Sequence, residues 1–496
     1  MFFQVLITFV FIALFSVLIW RSSFFKMEGV SKIYFLSVFY LKVCIGVFGW
    51  MLYVRYYPSN DAIGFFHDGE LLYELFFTDK NAFFNLLFGS DNTHPSLSGM
   101  MAWDDGYMDF VVNDSRTIVR FNALIRFFSF GVFHVHTIVF CFISLLGSTF
   151  IYRAVLPKVA VNRKILLVIV FLAPSVLFWS SLVLKEALVF LAIGMLLYYT
   201  EFGMRAYYSR KTLFYSILST FLLLIIKSYL LLVFLPFLLI NMLIVKFKWR
   251  RVLKVYALFC GSIVFLIIGV HFISPKHDLI RILQQKQMLF IKQSRGGIYL
   301  FASGYHIYVD QANRDSALKY VNDSTCRLKP GYPYKKFILN TEDTLSLASQ
   351  DYSLDYKIVY DSRPAGSYVQ SDQLDGTLGQ FLLLIPKKIV SVFLLTDAYK
   401  QSGWLICLAV LESSFYLLGL IFVICFGRIK QDQLVLVLFM MAVICSLYSL
   451  VGFTSPVIGA IVRYKVVVAP FFGILLLIIF DPGKWSSFRN KFGLKK

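Results

Sequence analysis

Acidic residues follow directly on the second long apolar run of the sequence. The run ends near Arg55, Asp61 comes shortly afterwards, and His67 and Asp68 lie one or two helical turns further on. A carboxylate can act as a general base, because it accepts the proton of an attacking hydroxyl group. Asp61 is the first candidate for such a base, with Asp68 and His67 as alternatives. Asp61 could also cap a helix that begins at Ala62, and the two roles can coexist.

An adjacent pair of opposite charges, Lys185 and Glu186, follows a turn between two apolar runs. Lys185 could bind a phosphate group, and Glu186 could accept a hydrogen bond from a sugar or bind a metal ion. Both could equally serve only to solvate the tip of a helical hairpin, because exposed ion pairs contribute little to stability.

Three further ionisable residues, Lys42, Lys227 and Glu412, lie in or beside apolar runs. A charge in a membrane is costly, so such residues are functional candidates by default. Lys227 could neutralise a phosphate group. Lys42 could do the same, or it could form a buried structural ion pair with Glu412.

Arg463 lies near the start of the last apolar run, in the segment 452–465. Its guanidinium could make a charge-assisted contact to phosphate. The alternative is a membrane anchor whose head group reaches the interface, as arginine at the end of a span often does.

The segment 91–94, Asp-Asn-Thr-His, together with Asp104 and Asp105, offers ligands for a divalent cation such as Mg²⁺ or Mn²⁺. The spacing matches no established metal motif, and solvated loop acids explain it equally well. No metal ligand is therefore assigned, and a divalent cation such as Mg²⁺ or Mn²⁺ stays open as a cofactor. Cys326 is the single cysteine in a long hydrophilic loop, which excludes a disulfide within the loops and makes it a natural reporter for labelling.

The apolar runs that position these residues are long enough to cross a membrane. Of 496 residues, 58% are hydrophobic and 15% are charged, and the mean hydropathy is +0.72. A helix needs roughly 20 apolar residues to cross the hydrocarbon core, so the sequence predicts an all-α integral membrane protein with about eleven transmembrane helices. They are expected at residues 2–20, 33–54, 131–151, 165–181, 186–200, 213–226, 229–245, 255–273, 402–426, 433–451 and 465–480.

Lysine and arginine residues cluster in alternate short connections and in the tail 481–496. The positive-inside rule places these segments in the cytoplasm, and it places the N-terminus and the long loops 55–130 and 274–401 outside. The predicted location is the cytoplasmic (inner) membrane, with the functional face external. The net charge of +20 lies mostly beside apolar runs, so it indicates contact with membrane lipids rather than with nucleic acid.

The predicted organisation has six parts. They are two N-terminal helices in 1–54, an acidic external loop with interfacial helices in 55–130, a six-helix block in 131–273, a small mixed extracytoplasmic subdomain in 274–401, three helices in 402–480 and a basic cytoplasmic tail in 481–496. The subdomain ends in the apolar segment 378–395, whose centre carries Pro386, Lys387 and Lys388. These residues favour an interfacial helix over a span.

Asp61 after an early span, and the Arg463-Tyr464 pair at the start of a late one, resemble the GT-C class of membrane glycosyltransferases. The resemblance implies transfer of a sugar from a polyprenyl-phosphate-linked donor to a glycan or lipid-linked acceptor at the external face. Asp61 would then be the base and Arg463 the phosphate-binding residue.

Three alternatives remain open. The spacing of Arg120 and Gly131 is similar to one found in O-antigen polymerases, which use related lipid-linked substrates. A lipid-linked oligosaccharide flippase or other secondary transporter would instead place its site near the membrane midplane, on broken helices. A non-catalytic membrane scaffold is the third alternative.

Overall fold

The computed structural model describes residues 2–56, 61–90, 94, 96–97, 114–159, 163–206, 209–274, 277–302, 305–338, 341–362, 364–401 and 403–491. The α-helices of the first half are α1 (Phe2–Arg21), α2 (Lys32–Tyr56), α3 (Asp61–Thr78), α4 (Lys80–Phe88), α5 (Asp114–Ser129), α6 (Phe133–Val155), α7 (Arg163–Phe171), α8 (Pro174–Trp179), α9 (Lys185–Ala206), α10 (Arg210–Phe247) and α11 (Val252–Ile273). Those of the second half are α12 (Leu279–Arg295), α13 (Arg314–Ala317), α14 (Leu378–Leu394), α15 (Trp404–Phe426), α16 (Leu434–Thr454), α17 (Ile458–Lys465), α18 (Ala469–Ile479) and α19 (Pro482–Lys491).

The strands are β1 (Gly297–Ala302), β2 (Tyr305–Asp310), β3 (Leu318–Asn322), β4 (Thr325–Leu328), β5 (Lys335–Ile338), β6 (Thr341–Thr344) and β7 (Tyr356–Ser362). They form one seven-stranded sheet in the order β3-β4-β7-β1-β2-β5-β6. The described strand pairs are antiparallel, and β1 lies between its neighbour β2 and the distant β7.

Eight helices among the described residues are long and apolar enough to cross a membrane. They are α1, α2, Phe133–Lys158, α10, α11, α15, α16 and Ile458–Ile479. The chain is therefore a helical, membrane-embedded protein. The predicted spans 165–181 and 186–200 are not among the eight, and 213–226 and 229–245 share α10. The total of about eleven spans and their orientation stay predictions.

The chain folds into two compact units. The first, called the helical unit, comprises Met1–Tyr256, Leu411–Leu447 and Val466–Lys496. The second, called the mixed unit, comprises Ala257–Val410 and Tyr448–Lys465 and contains the sheet.

The helical unit is built around closely packed helices. A Cβ atom on Gly147 of α6 would lie 2.4 Å from the backbone of Phe190, and one on Gly194 of α9 would lie 2.3 Å from the Gly147 carbonyl oxygen. Glycine is needed at both positions because any side chain would separate α6 from α9. Small residues at such crossings are typical of helix packing in membranes, where backbone proximity replaces the hydrophobic effect as a source of stability.

Helix α10 is interrupted at Lys227, whose backbone is extended (φ −152°, ψ 83°). An extended residue interrupts the helix, so the carbonyl groups just before it lose their intrahelical hydrogen-bond donors. Thr117 of α5 compensates in part, because its hydroxyl donates to the Ile225 carbonyl over 2.8 Å. The interruption falls where the sequence predicted a break between two helices.

One face of the sheet in the mixed unit carries a compact hydrophobic core. Its members are Ile298, Leu300, Ile307, Val309, Ala317, Leu318, Cys326, Leu328, Tyr334 and Tyr356. The hydroxyl of buried Tyr334 donates to the Ala317 carbonyl and accepts from the Lys329 N–H over 2.9 Å. This aromatic side chain therefore ties the turn after β4 to the residues before β3.

The segment 371–375 crosses α12 and α14 in an extended form. The buried Gln287 side chain of α12 forms two hydrogen bonds with the backbone of this segment. Its amide nitrogen donates to the Asp372 carbonyl, and its amide oxygen accepts from the Leu374 N–H. From α14, Lys387 contacts the Asp372 carboxylate at 2.8 Å and Lys388 donates to the Ser371 hydroxyl at 2.7 Å. These contacts fix the segment on both helices.

Candidate functional site

Helix α3 carries the two acidic candidates, Asp61 and Asp68, and packs against α5. A Cβ atom on Gly69 would lie 2.7 Å from the Cβ of Asn122, so α3 and α5 nearly touch there. Asp61 is the first residue of α3 and is exposed, where its charge is favourable at the positive end of the helix. Asp68 is buried, and its carboxylate lies 3.7 Å from the imidazole of His67, which is itself exposed.

Lys185 brings the acidic loop together with the turn at residues 180–184. Its side chain is buried, donates to the Ser115 hydroxyl of α5 over 3.2 Å, and lies 5.1 Å from the centre of the Phe65 ring of α3. Phe65 is one helical turn from both Asp61 and Asp68. Two stretches that the sequence singled out separately are therefore neighbours in the helical unit.

Glu186 and Lys227 form a buried ion pair. The Lys227 ammonium lies 2.8 Å from a Glu186 carboxylate oxygen, and the two side chains are 3% and 0% exposed. Because the partners are almost inaccessible to water, removing one of them would take this ion pair away from a buried charge, which is costly. The ion pair joins the start of α9 to the interruption of α10.

Lys42 and Glu412 both contact the region of α8. The buried Lys42 ammonium donates to the Ser180 hydroxyl over 2.6 Å. The Glu412 carboxylate accepts from the N–H and the hydroxyl of Ser175, each over 2.8 Å. These contacts give both charges a structural role. They also bring the Lys42 side chain into contact with the first residue of the 180–184 turn.

Arg463 lies in α17, which belongs to the mixed unit. Two residues along the same helix, Lys465 donates to the Val392 carbonyl of α14 over 3.3 Å. Arg463 is partly buried. Its phosphate-binding role stays a prediction from the sequence.

Several polar residues of the helical unit were not singled out from the sequence. Arg116, which follows Ser115 in α5, is buried. The ring of His136 in α6 forms hydrogen bonds with the side chains of Asn122 at 2.8 Å and Ser129 at 2.9 Å. For His136, an ionisable residue in the apolar helix α6 is the signal that could have indicated it, whereas α5 carries several polar residues and gives no such signal for Arg116. The Arg120 guanidinium donates to the Leu86 carbonyl over 2.8 Å, so this residue also supports the backbone of α4.

The sequence offered a divalent-cation site at Asp91, Asn92, Thr93, His94, Asp104 and Asp105. Of these only His94 lies within the described residues, and its ring contacts the Ser96 hydroxyl at 2.7 Å. Among the residues that the structure describes, no group of three His, Cys, Asp or Glu side chains could hold a metal ion.

The charged groups of the helical unit can bind an anion and accept a proton. Lys185 and Arg116 supply positive charge, Asp61 and Asp68 supply carboxylates on the adjoining helix, and the charge of Lys227 is compensated by Glu186. Comparison with known proteins returned no family model, no curated protein and no solved structure that matches the chain. The assignment of function therefore rests on this arrangement and on the resemblance of the sequence motifs.

Proposed function

We propose that the protein is a membrane glycosyltransferase that transfers a sugar from a polyprenyl-phosphate-linked donor to a glycan or lipid-linked acceptor at the external face of the cytoplasmic membrane. The observation that supports the proposal is the position of Lys185 over Phe65 and beside Ser115. It brings a cation suited to phosphate to the helix that carries the two candidate bases. Both functions are required when a lipid phosphate is the leaving group.

Each residue has a stated role in this proposal. Asp61 or Asp68 accepts the proton of the acceptor hydroxyl as the anomeric carbon is attacked. Lys185 stabilises the charge that develops on the departing phosphate, and Lys227 contributes when its ion pair with Glu186 opens. Arg463 is a further phosphate-binding candidate on sequence grounds.

A donor panel tests the proposal. The full chain in lipid nanodiscs is incubated with radiolabelled polyprenyl-phosphate sugars and an envelope extract as acceptor, and consumption of donor is followed. Asp61→Asn or Asp68→Asn should lower the rate by roughly 10²-fold or more, the usual contribution of a general base. Lys185→Gln should raise the KM for the donor.

Glu74→Gln is the matched control, because Glu74 lies on the same helix α3 and is exposed. Its rate should equal that of the parent. The proposal fails if no donor of the panel is consumed, or if donor is consumed equally by the parent and both aspartate variants.

One observation favours a second candidate, a transporter of lipid-linked or other anionic substrates. Helix α10 is broken at Lys227, and the break carries a buried ion pair with Glu186. Discontinuous helices with buried charges are typical of transporter binding sites. Transport of a labelled lipid-linked sugar across proteoliposomes, without formation of a new glycosidic bond, would support this function and exclude the transferase.

A further inference from the structure

Helices α12 and α14 of the mixed unit share an unusual charge pattern. Helix α12 carries Arg281, Lys286, Lys292 and Arg295, helix α14 carries Lys387 and Lys388, and neither helix contains an acidic residue. Asp278 caps α12, but it is fully buried, contacts the His271 ring at 2.9 Å and pairs with Arg281 at 3.4 Å. On α14, Lys387 pairs with the Asp372 carboxylate at 2.8 Å and Lys388 is buried, so the basic surface of the two helices lies mainly on α12.

Helix α14 places apolar residues on its exposed side. Leu383 is 81% exposed, and Leu382 and Val390 lie on the same side of the helix, while the opposite side buries Phe381, Lys388 and Val392. An apolar stripe that is exposed while a lysine is buried is the reverse of the pattern for a helix on a water-facing surface. Such a stripe needs an apolar environment.

Helix α12 also has an exposed apolar flank beside its packed face. The packed face consists of Ile280, Leu283, Gln287, Ile291 and Ser294. Leu279 and Ile282 are 38% and 41% exposed, and Leu289 continues the same flank seven residues after Ile282. Lys286 lies on that flank as well, where its long side chain can reach the phosphate level of a membrane.

Both helices pack on the end of a candidate membrane span. Phe453, in the last turn of α16, stacks on Phe381 of α14 with ring centres 4.9 Å apart. The same hydrophobic cluster includes Ile280 and Leu283 of α12. Helix α16 is one of the helices long and apolar enough to cross a membrane and ends at Thr454, so α12 and α14 lie beside the end of a candidate span.

We propose that α12 and α14 together form an amphipathic platform that lies in the headgroup region of one membrane leaflet and binds anionic phospholipids. The leaflet is the occupant that this surface requires, because the helices that carry the exposed apolar stripes pack on a span end and the neighbouring side chains of α12 are cationic. In-plane helices of this kind insert their apolar face roughly 5–10 Å into the boundary between headgroups and acyl chains. The inference does not depend on the proposed transferase activity.

Photocrosslinking in nanodiscs tests the platform. A diazirine amino acid is introduced at position 282, 383 or 321 of the full chain, in nanodiscs that contain phosphatidylcholine and phosphatidylglycerol, and phospholipid adducts are identified by mass spectrometry. Position 321 is the control, because Val321 is exposed on strand β3 of the sheet. Positions 282 and 383 should yield roughly tenfold more phospholipid adduct than position 321, as expected for inserted side chains.

The charge of the platform is tested with the same adducts. Phosphatidylglycerol should be enriched among them, and Lys286→Gln, on the partly exposed flank of α12, should lower the enrichment by about fivefold. Lys286→Arg keeps the charge and should leave the enrichment unchanged. Equal adduct yields at all three positions would overturn the proposal, and so would adducts at position 383 without any at 282. A share of phosphatidylglycerol equal to that of the disc would overturn the anionic-lipid part.

Discussion

Lys42 and Glu412 bind opposite ends of the same short helix, α8. The Glu412 carboxylate accepts two hydrogen bonds from Ser175 at the N-terminal end, and the Lys42 ammonium donates to Ser180 at the C-terminal end. An anion at the N-terminus and a cation at the C-terminus both interact favourably with the helix dipole. The sequence offered a direct ion pair between these residues as one alternative, whereas the structure links them through α8.

Removing the Glu412 carboxylate should loosen α8. Glu412→Leu leaves the Ser175 N–H without this acceptor, and the loss of a helix cap costs about 1 kcal/mol. Hydrogen exchange of residues 174–184 should therefore become faster, while Glu412→Gln, which keeps one acceptor oxygen, should have a smaller effect. Cys425→Ala on the same helix is the control. Unchanged exchange in Glu412→Leu would show that the carboxylate does not hold α8.

Lys227→Met should strongly destabilise the protein, because it removes a 2.8 Å ion pair from the buried Glu186 carboxylate. Such losses typically amount to about 3–5 kcal/mol of unfolding free energy. The double variant Lys227→Met/Glu186→Met should recover most of that loss, and thermal unfolding in detergent measures both. Lys211→Met, at an exposed position of α10, should be neutral. Simply additive losses in the double variant would contradict the pairing. A stable but inactive double variant would support a substrate-binding role for this pair.

The contact of Asp372 with Lys387 should make the mixed unit sensitive to acid. The hydrogen bond from Lys387, together with the charge of Lys388, holds the pKa of Asp372 below its ordinary value. The stabilisation is therefore complete above about pH 4, the pKa of an unperturbed aspartate, and is lost as the pH falls through the lowered pKa of the folded protein.

This dependence can be measured as the difference in Tm between the parent and Asp372→Asn. The difference should stay constant from about pH 7 to pH 5 and shrink below about pH 4. Asp323→Asn, at an exposed turn, is the control and should show no such change. A Tm difference that does not vary with pH would contradict the assigned contact.

The side of the membrane on which the sheet lies can be determined by thiol labelling, but not with Cys326. This residue is fully buried in the sheet core, and burial raises the pKa of its thiol to about 11. Both effects suppress its reaction with maleimides. Val321→Cys on the exposed strand β3 should react with a membrane-impermeant maleimide in intact cells, and Lys491→Cys should react only after lysis. The reverse pattern would invert the predicted orientation.

Local features of the helices could be predicted from the sequence because they depend on neighbouring residues. The first span was expected at 2–20 and the helix is Phe2–Arg21, and the second was expected at 33–54 and the helix is Lys32–Tyr56. The interruption of the apolar run 213–245 was predicted at Lys227 and Ser228, because the run is too long for one ordinary span. Apolar length and isolated charges are sufficient for these conclusions.

The remaining features depend on contacts between distant parts of the chain. The sheet could not be predicted in detail, because its strands are short and β1 pairs with β7 across more than fifty intervening residues. Asp68 and Lys185 were both candidates, but only folding reveals that Phe65 and Ser115 connect their helices. No periodicity in a sequence specifies which hydroxyl group a buried lysine will bind, so the contact of Lys42 with Ser180 was also beyond prediction.

Gly46 has a consequence for the recognition of distant relatives. A Cβ atom at this position would lie 2.5 Å from the Ser181 carbonyl oxygen, and one at Gly49 would lie 2.2 Å from the Leu182 side chain. Lys42, Gly46 and Gly49 occupy one face of α2, so a homologue that keeps this contact must keep their spacing even where the surrounding residues have diverged. Homologues should therefore share the pattern Lys-x3-Gly-x2-Gly in an early span, followed later by Ser-Ser-x3-Lys-Glu. A search for this pattern weighs only the residues at the contact, whereas a comparison of whole sequences also weighs the positions that have diverged.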